Sequence, residues 1–306
     1  MRIGLALDER GRSHESLVDE AGKAAAAGFP AFWLGQHTSW DVLTTLAVAG
    51  SAVPGIRLGT AIVPTYPRHP LALAGQALTV QAVTGNRLDL GVGLSHQVVI
   101  EGQFGLSFDK PARHLREYLS ALGPLLRGES VDFQGETLKA VGEVEVPGAR
   151  SPSLLVAALG PAMLRVAGEL ADGTVTMWAG PRTLDTHIVP AITRASAGTP
   201  RVVVMVMVCV TGDPSGARDL LGSRLAVAGE LPSYRAVLDR EGAGGPAEVA
   251  VVGDEAAVRR ELGRYADAGA TEFVAVPFGT AEEQRRTTAL LAGINRESCP
   301  GSRERP

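Results

Sequence analysis

"RIGLALDERGRS", residues 2–13, begins as a short apolar strand and leaves it through a charged turn that contains no glycine-rich phosphate loop. The first strand of an open doubly wound sheet is expected to run into a glycine fingerprint for a pyrophosphate, so the turn favours a closed barrel. Further along, β-branched runs alternate with Ala- and Leu-rich helical stretches. The runs are "AFWLG" (31–35), "IRLGTAIV" (56–63), "RLDLGVG" (87–93), "SLLVAAL" (153–159), "GTVTMW" (173–178), "RVVVMVMVCVT" (201–211) and "EFVAVP" (272–277). With the first they make eight strands, read as continuous apolar segments of the kind buried on both faces of a parallel sheet. Eight βα units predict one α/β domain, a single (β/α)8 TIM barrel over residues 1–294, followed by a flexible tail at 295–306. "SVDFQGETLKAV" (130–141) reads as an inserted hairpin with a Gln-Gly turn.

The 306 residues, 45% hydrophobic and 20% charged, are ample for a large core, and a formal charge of -4 argues against a nucleic-acid partner. Only Lys23, Lys110 and Lys139 are lysines, so the many arginines reflect a GC-rich coding genome and not a basic patch. Cys209 and Cys299 offer neither metal-ligand spacing nor a disulfide framework. The opening residues lack a signal-peptide pattern, and the longest apolar run, "VVVMVMVCV" (202–210), is too short to span a bilayer. A reduced, cytoplasmic setting without a membrane partner is expected.

A barrel carries its active site at the C-terminal strand ends. His37 follows the second strand, His69 the third and His96 the fourth, whereas His14, His114 and His187 fall on helices and are expected at the surface. No acidic residue stands beside the first three and no HxH or HExxH pattern occurs, so no metal is expected. After the fifth strand, Gly160 and Pro161 open a helix whose free amides can bind phosphate. "GVGLSH" lacks the third glycine of a dinucleotide fingerprint. "LTTLAVAGSAV" and "LALAGQALTVQAV" are apolar or small almost all round, which predicts a homodimer contact.

Together, "FWLGQH", "RLGTAIVPTYPRHP", "RLDLGVG", "VAALGPAMLRVAGELADGTVT" and "VAVVGDEAAVRRELGRYADAGATEFVAVPFG" resemble the luciferase-like monooxygenase superfamily over nearly the whole chain. The resemblance is to its coenzyme F420-dependent oxidoreductases, which include the methylenetetrahydromethanopterin reductases. It implies hydride transfer between the deazaflavin F420 and a small-molecule substrate with a C=N bond, an activated C=C bond or an alcohol. An FMN-dependent monooxygenase is the alternative, and a non-catalytic flavin-binding barrel a third reading. The resemblance also implies a non-prolyl cis peptide between Ala61 and Ile62, beneath the ring. Gln36, Gly93, Ser95, Ala157, Ala158, Leu159, Gly160, Pro161 and Met177 match cofactor-binding positions. His37 matches the position near the reactive carbon. His96 stands where some sugar-phosphate dehydrogenases of the family place a catalytic Glu, a departure that puts that chemistry in doubt. Trp40, Tyr66 and Trp178 are expected to face substrate, and His69 to cap the helix that follows it.

Overall fold

In the computed structural model, which describes residues 1–298, eight strands pair in parallel in chain order. They are β1 (Arg2–Leu7), β2 (Ala31–Leu34), β3 (Arg57–Thr60), β4 (Leu88–Gly93), β5 (Ser153–Ala157), β6 (Gly173–Met177), β7 (Arg201–Val210) and β8 (Glu272–Pro277). Glu272 of β8 lies opposite Arg2 of β1, so the sheet closes on itself as the predicted (β/α)8 barrel. The wall is formed by α1 (His14–Ala27), α2 (Val42–Ala52), α3 (Pro70–Thr84), α4 (Pro111–Leu126), α5 (Pro161–Leu170) and α6, a helix over 181–195 with a π turn. It continues with α7 (Pro214–Gly229), α8 (Pro232–Glu241), α9 (Glu255–Asp267) and α10 (Ala281–Ser298). Short acceptors start several of them: Ser13, Asp41 and Asp254 each take a first-turn amide, of α1, α2 and α9 respectively.

The barrel interior is plugged by Trp33, which is fully buried. Gly59 makes room for it, since a Cβ there would stand 2.2 Å from the indole ring. Ala6, Leu155, Val175, Met205 and Val274 pack around the plug, while the larger apolar layer lies between strands and helices. Below the plug, at the strand starts, the fully buried carboxylate of Asp89 binds both Arg57 and Arg201, and Arg201 Nε donates to Glu272 at 2.8 Å. A buried carboxylate is tolerable only with such pairing.

Three features depart from the sequence reading. The third strand does not run on to residue 63: it breaks after Thr60, and Val63–Pro64 rejoins β4 as a separate short strand. At the break the Ala61–Ile62 peptide is cis, as the family resemblance implied. Second, Val251–Gly253 adds an unexpected strand beside the end of β7. Third, α10 runs through the first four residues of the expected tail, because Asn295 bonds the backbone of Ile3 on both sides, at 3.1 and 2.8 Å. The rest of that tail, 299–306, including Cys299, lies outside the described residues. Among the described residues no helix is long and apolar enough to cross a membrane.

Candidate active site

The mouth of the barrel is built around the break in β3. Ala61 N–H donates to Leu34 at 2.8 Å and Gln36 N–H to Ile62 at 3.2 Å, fastening the corner to the end of β2. On the neighbouring strand β4, Gly93 fits between Ile62 and Ala157: a Cβ there would stand 2.9 Å from that of Ala157 and 3.1 Å from Ile62. Gly35 does the same on the near side, where a Cβ would meet the Ala61 carbonyl at 3.1 Å and His37 Cε1 at 3.2 Å. Ile62 and Ala157 thus approach each other over the buried Gly93, and His37 and Ala61 over Gly35. With Met177 and Val276, the residues Ala61, Ile62 and Ala157 make a partly exposed apolar shelf.

One acidic residue does stand beside a strand-end histidine, contrary to the sequence expectation. His37 Nδ1 lies 2.8 and 3.0 Å from the two carboxylate oxygens of Glu9, which is 1% exposed. An ionised carboxylate only accepts, so Nδ1 carries the proton and Nε2 is left for the mouth. The separation in sequence hid this pair, yet the signal was there: Glu9 follows β1 as directly as His37 follows β2. The donor atoms of Asp8, Glu9 and His37 lie within 4.8 Å of one another, but Asp8 is held by Arg10 in a 2.7 Å ion pair, and the cluster by itself assigns no metal.

The loop that carries His37 is stapled by Gln36, whose Nε2 donates to the carbonyls of His37 (2.8 Å) and Trp40 (3.1 Å) and whose Oε1 accepts from Val42 N–H at 2.9 Å. Its amide is therefore spent within the loop. Arg68 braces the same loop through Asp41 and Gln36. Burial pushes the Asp41 carboxyl up, but bonds from Thr44 and the Arg68 charge outweigh it and hold the group below its usual range.

On the far side, Ser95 takes a left-handed conformation (φ 61°) that turns the chain toward His96, and Trp178 does likewise (φ 57°) at the end of β6. Such a conformation is unusual for a bulky residue and is held by its surroundings. Tyr234, on α8, joins the two, with its ring 4.4 Å from Trp178 and 4.9 Å from His96. Glu241, at the end of the same helix, anchors it by accepting from the amides of Arg182 (3.2 Å) and Thr183 (2.8 Å). Burial lowers the His96 pKa and pushes Tyr234 up to about 12, so both are neutral at neutral pH. Among the described residues the buried indole N–H of Trp178 has no partner. Sequence reasoning missed Tyr234 because α8 belongs to an excursion between β7 and β8, outside the strand-end rule.

Gly160 caps the helix that Pro161 opens, and among the described residues nothing lies within 4 Å of where its Cβ would stand. Ala158 faces the outer core, and the Leu159 carbonyl pairs with His187 Nε2 at 2.9 Å. Two expected substrate residues stand apart. Trp40 is 39% exposed and donates its indole N–H to Arg12, on the outer lip. Tyr66 turns aside and stacks on His114 at 3.9 Å. His114 is thereby buried, not at the surface, and bonds Thr65 at 3.1 Å. His69 caps α3 as expected, accepting from Leu71 N–H at 3.3 Å.

A sequence profile described as luciferase-like monooxygenase matches residues 1–283. The chain belongs to that family. Among relatives of this luciferase-like chain, a 5,10-methylenetetrahydromethanopterin reductase of Methanolobus tindarius is 28% identical over 209 residues, 67% of this chain and 64% of the relative. A Mycobacterium tuberculosis protein named as a coenzyme F420-dependent oxidoreductase is 31% identical over 206 residues, 60% of this chain and 57% of the relative. The matches thus span less than two thirds of either curated relative. The solved FMN complex of a type II Baeyer-Villiger monooxygenase from Pseudomonas putida shares the fold, with a TM-score of 0.73 at 17% identity over 98% of each chain.

Proposed function

We propose that the protein is a coenzyme F420-dependent oxidoreductase that moves a hydride between the deazaflavin and a small organic substrate with a C=N bond, an activated C=C bond or an alcohol. The observation that carries this reading is the Glu9–His37 pair at the edge of an apolar shelf. A relative named for F420 dependence at 31% identity supports the choice of cofactor.

The residues fit a flat ring with a phosphate-bearing tail. Ala61, Ile62, Ala157, Met177 and Val276 offer a partly exposed apolar seat. The open space at Gly160 lets an anion approach the first turn of α5. When bound, F420 supplies the two-electron hydride chemistry, and the protein supplies position, dryness and protons. His37, with Nδ1 held by Glu9, gives a proton from Nε2 to an atom that gains charge as hydride arrives, or takes one from an alcohol in the reverse direction. Glu9 orients the imidazole and stabilises its charged form. Trp178 and Tyr234 wall the mouth against water.

Fluorescence titration of the purified protein with F420 and, separately, with FMN tests this, because Trp178 lies at the mouth. Saturable quenching by F420 alone is expected. Tight binding of FMN alone would move the protein to oxygen chemistry, and binding of neither would remove both readings. The same proposal takes the protein to be a homodimer through α2 and α3, whose Val48 and Val83 stand 45% and 51% exposed. A monomer in sedimentation equilibrium would refute that part.

A further inference from the structure

Beside the barrel mouth, a cavity of about 640 Å³ opens between the loop after Val63–Pro64, the start of α4 and the tip of the inserted hairpin. Its size lies in the range of small-molecule sites, roughly 300–1,000 Å³. His37, Ser95, His96, Gly160 and Trp178 take no part in its lining.

Among the described residues, two of its wall residues keep hydrogen-bonding atoms that are not used. The Arg68 side chain is only 17% exposed, and its Nη2 alone meets protein acceptors, Asp41 and Gln36. Among the described residues Nε and Nη1 meet none, which leaves donors at the wall of a cavity suited to an oxyanion. The Tyr66 hydroxyl is enclosed and, among the described residues, unpartnered. Its ring is clamped between His114 at 3.9 Å and Phe108 at 5.2 Å, so it cannot swing away to find one. The charged lining is Arg68, Lys110 and Lys139 against two carboxylates, Asp109 and Glu136. Glu136 is already shared by Lys110 and Arg113, and Lys139 makes no ion pair among the described residues. Leu106 and Leu138 give the lining its apolar part.

We propose that this cavity is a second small-molecule site, taking a compact carboxylate whose head is held by Arg68 and a rim lysine and whose apolar body lies against Leu106 and Leu138. The same guanidinium also braces the loop that carries His37. The site stands on its own geometry and does not require the F420 reading.

Isothermal titration of the flavin-free protein with benzoate and, separately, with inorganic phosphate tests it; both present an oxyanion, and only benzoate has an apolar body. Saturable binding of benzoate is expected, and weaker binding of phosphate. Arg68→Gln should weaken benzoate about tenfold or more, and Tyr66→Phe, which keeps the stack, about threefold. His37→Ala should bind benzoate as the parent does. Absence of saturable benzoate binding up to about 10 mM overturns the proposal. So does unchanged affinity in both Arg68→Gln and Tyr66→Phe, or tighter binding of phosphate than of benzoate. Competitive displacement of benzoate by F420 would make the cavity part of the cofactor's own site and overturn its independence. If Arg68→Gln does not fold, Tyr66→Phe alone decides.

Discussion

His37 Nδ1 lies 2.8 Å from a carboxylate oxygen of Glu9, so an exposed imidazole at the mouth is held by a buried acid 28 positions earlier in the chain. Glutamine at position 9 keeps the shape but can present an N–H to Nδ1, favouring the other tautomer. Glu9→Gln should lower turnover about 10²-fold with KM little changed, and His37→Ala should lower it by at least as much. Steady-state kinetics of the double variant check the pairing: a loss no larger than that of His37→Ala is expected, and additive losses would separate the two residues.

His114 yields a prediction for pH. Burial pushes its pKa down from 6.5 to about 4, so the folded protein stays neutral there while the unfolded chain takes up a proton. The contribution to stability is complete above about pH 6.5 and is lost as the pH falls toward 4, by at most about 3 kcal/mol. Urea unfolding across that window should show the decline, and His114→Phe should flatten it.

Gly59→Ala should destabilise the barrel by about 2–3 kcal/mol, because the new methyl would overlap the Trp33 ring in a packed interior. Adding Trp33→Leu should recover part of that loss in chemical denaturation. A fully additive pair would show that the plug does not constrain position 59.

Asp89→Asn leaves Arg57 and Arg201 without the buried charge they share. A loss of about 3–5 kcal/mol is expected. Turnover per folded molecule should be unchanged, since the network lies at the opposite end of the barrel from His37.

The strands were legible because each is a short apolar run bounded by polar turns, and the strand-end rule then set His37 after β2, His96 after β4 and Trp178 after β6, where Trp178 packs into the core at 4% exposure. The Ala61–Ile62 corner was legible only through family resemblance, since no local pattern in "GTAIVP" announces it. Glu9 was not legible because pairing across neighbouring strand ends is a property of the folded barrel, and 28 positions separate it from His37 along the chain. Tyr234 was out of reach for a different reason: its place over Trp178 is set by the Glu241 anchor at the start of α6. His114 looked like a surface residue because helix position was read without the ladder of Tyr66 and Phe108 that covers it.

Trp33 turns the barrel from a tube into a cup. A cup has one doorway, so if the proposed cofactor sits on the Ile62 and Ala157 shelf, it arrives before the substrate and departs after it. An excess of the outer molecule then bars the exit of the inner one, and saturating substrate should slow the cycle instead of driving it.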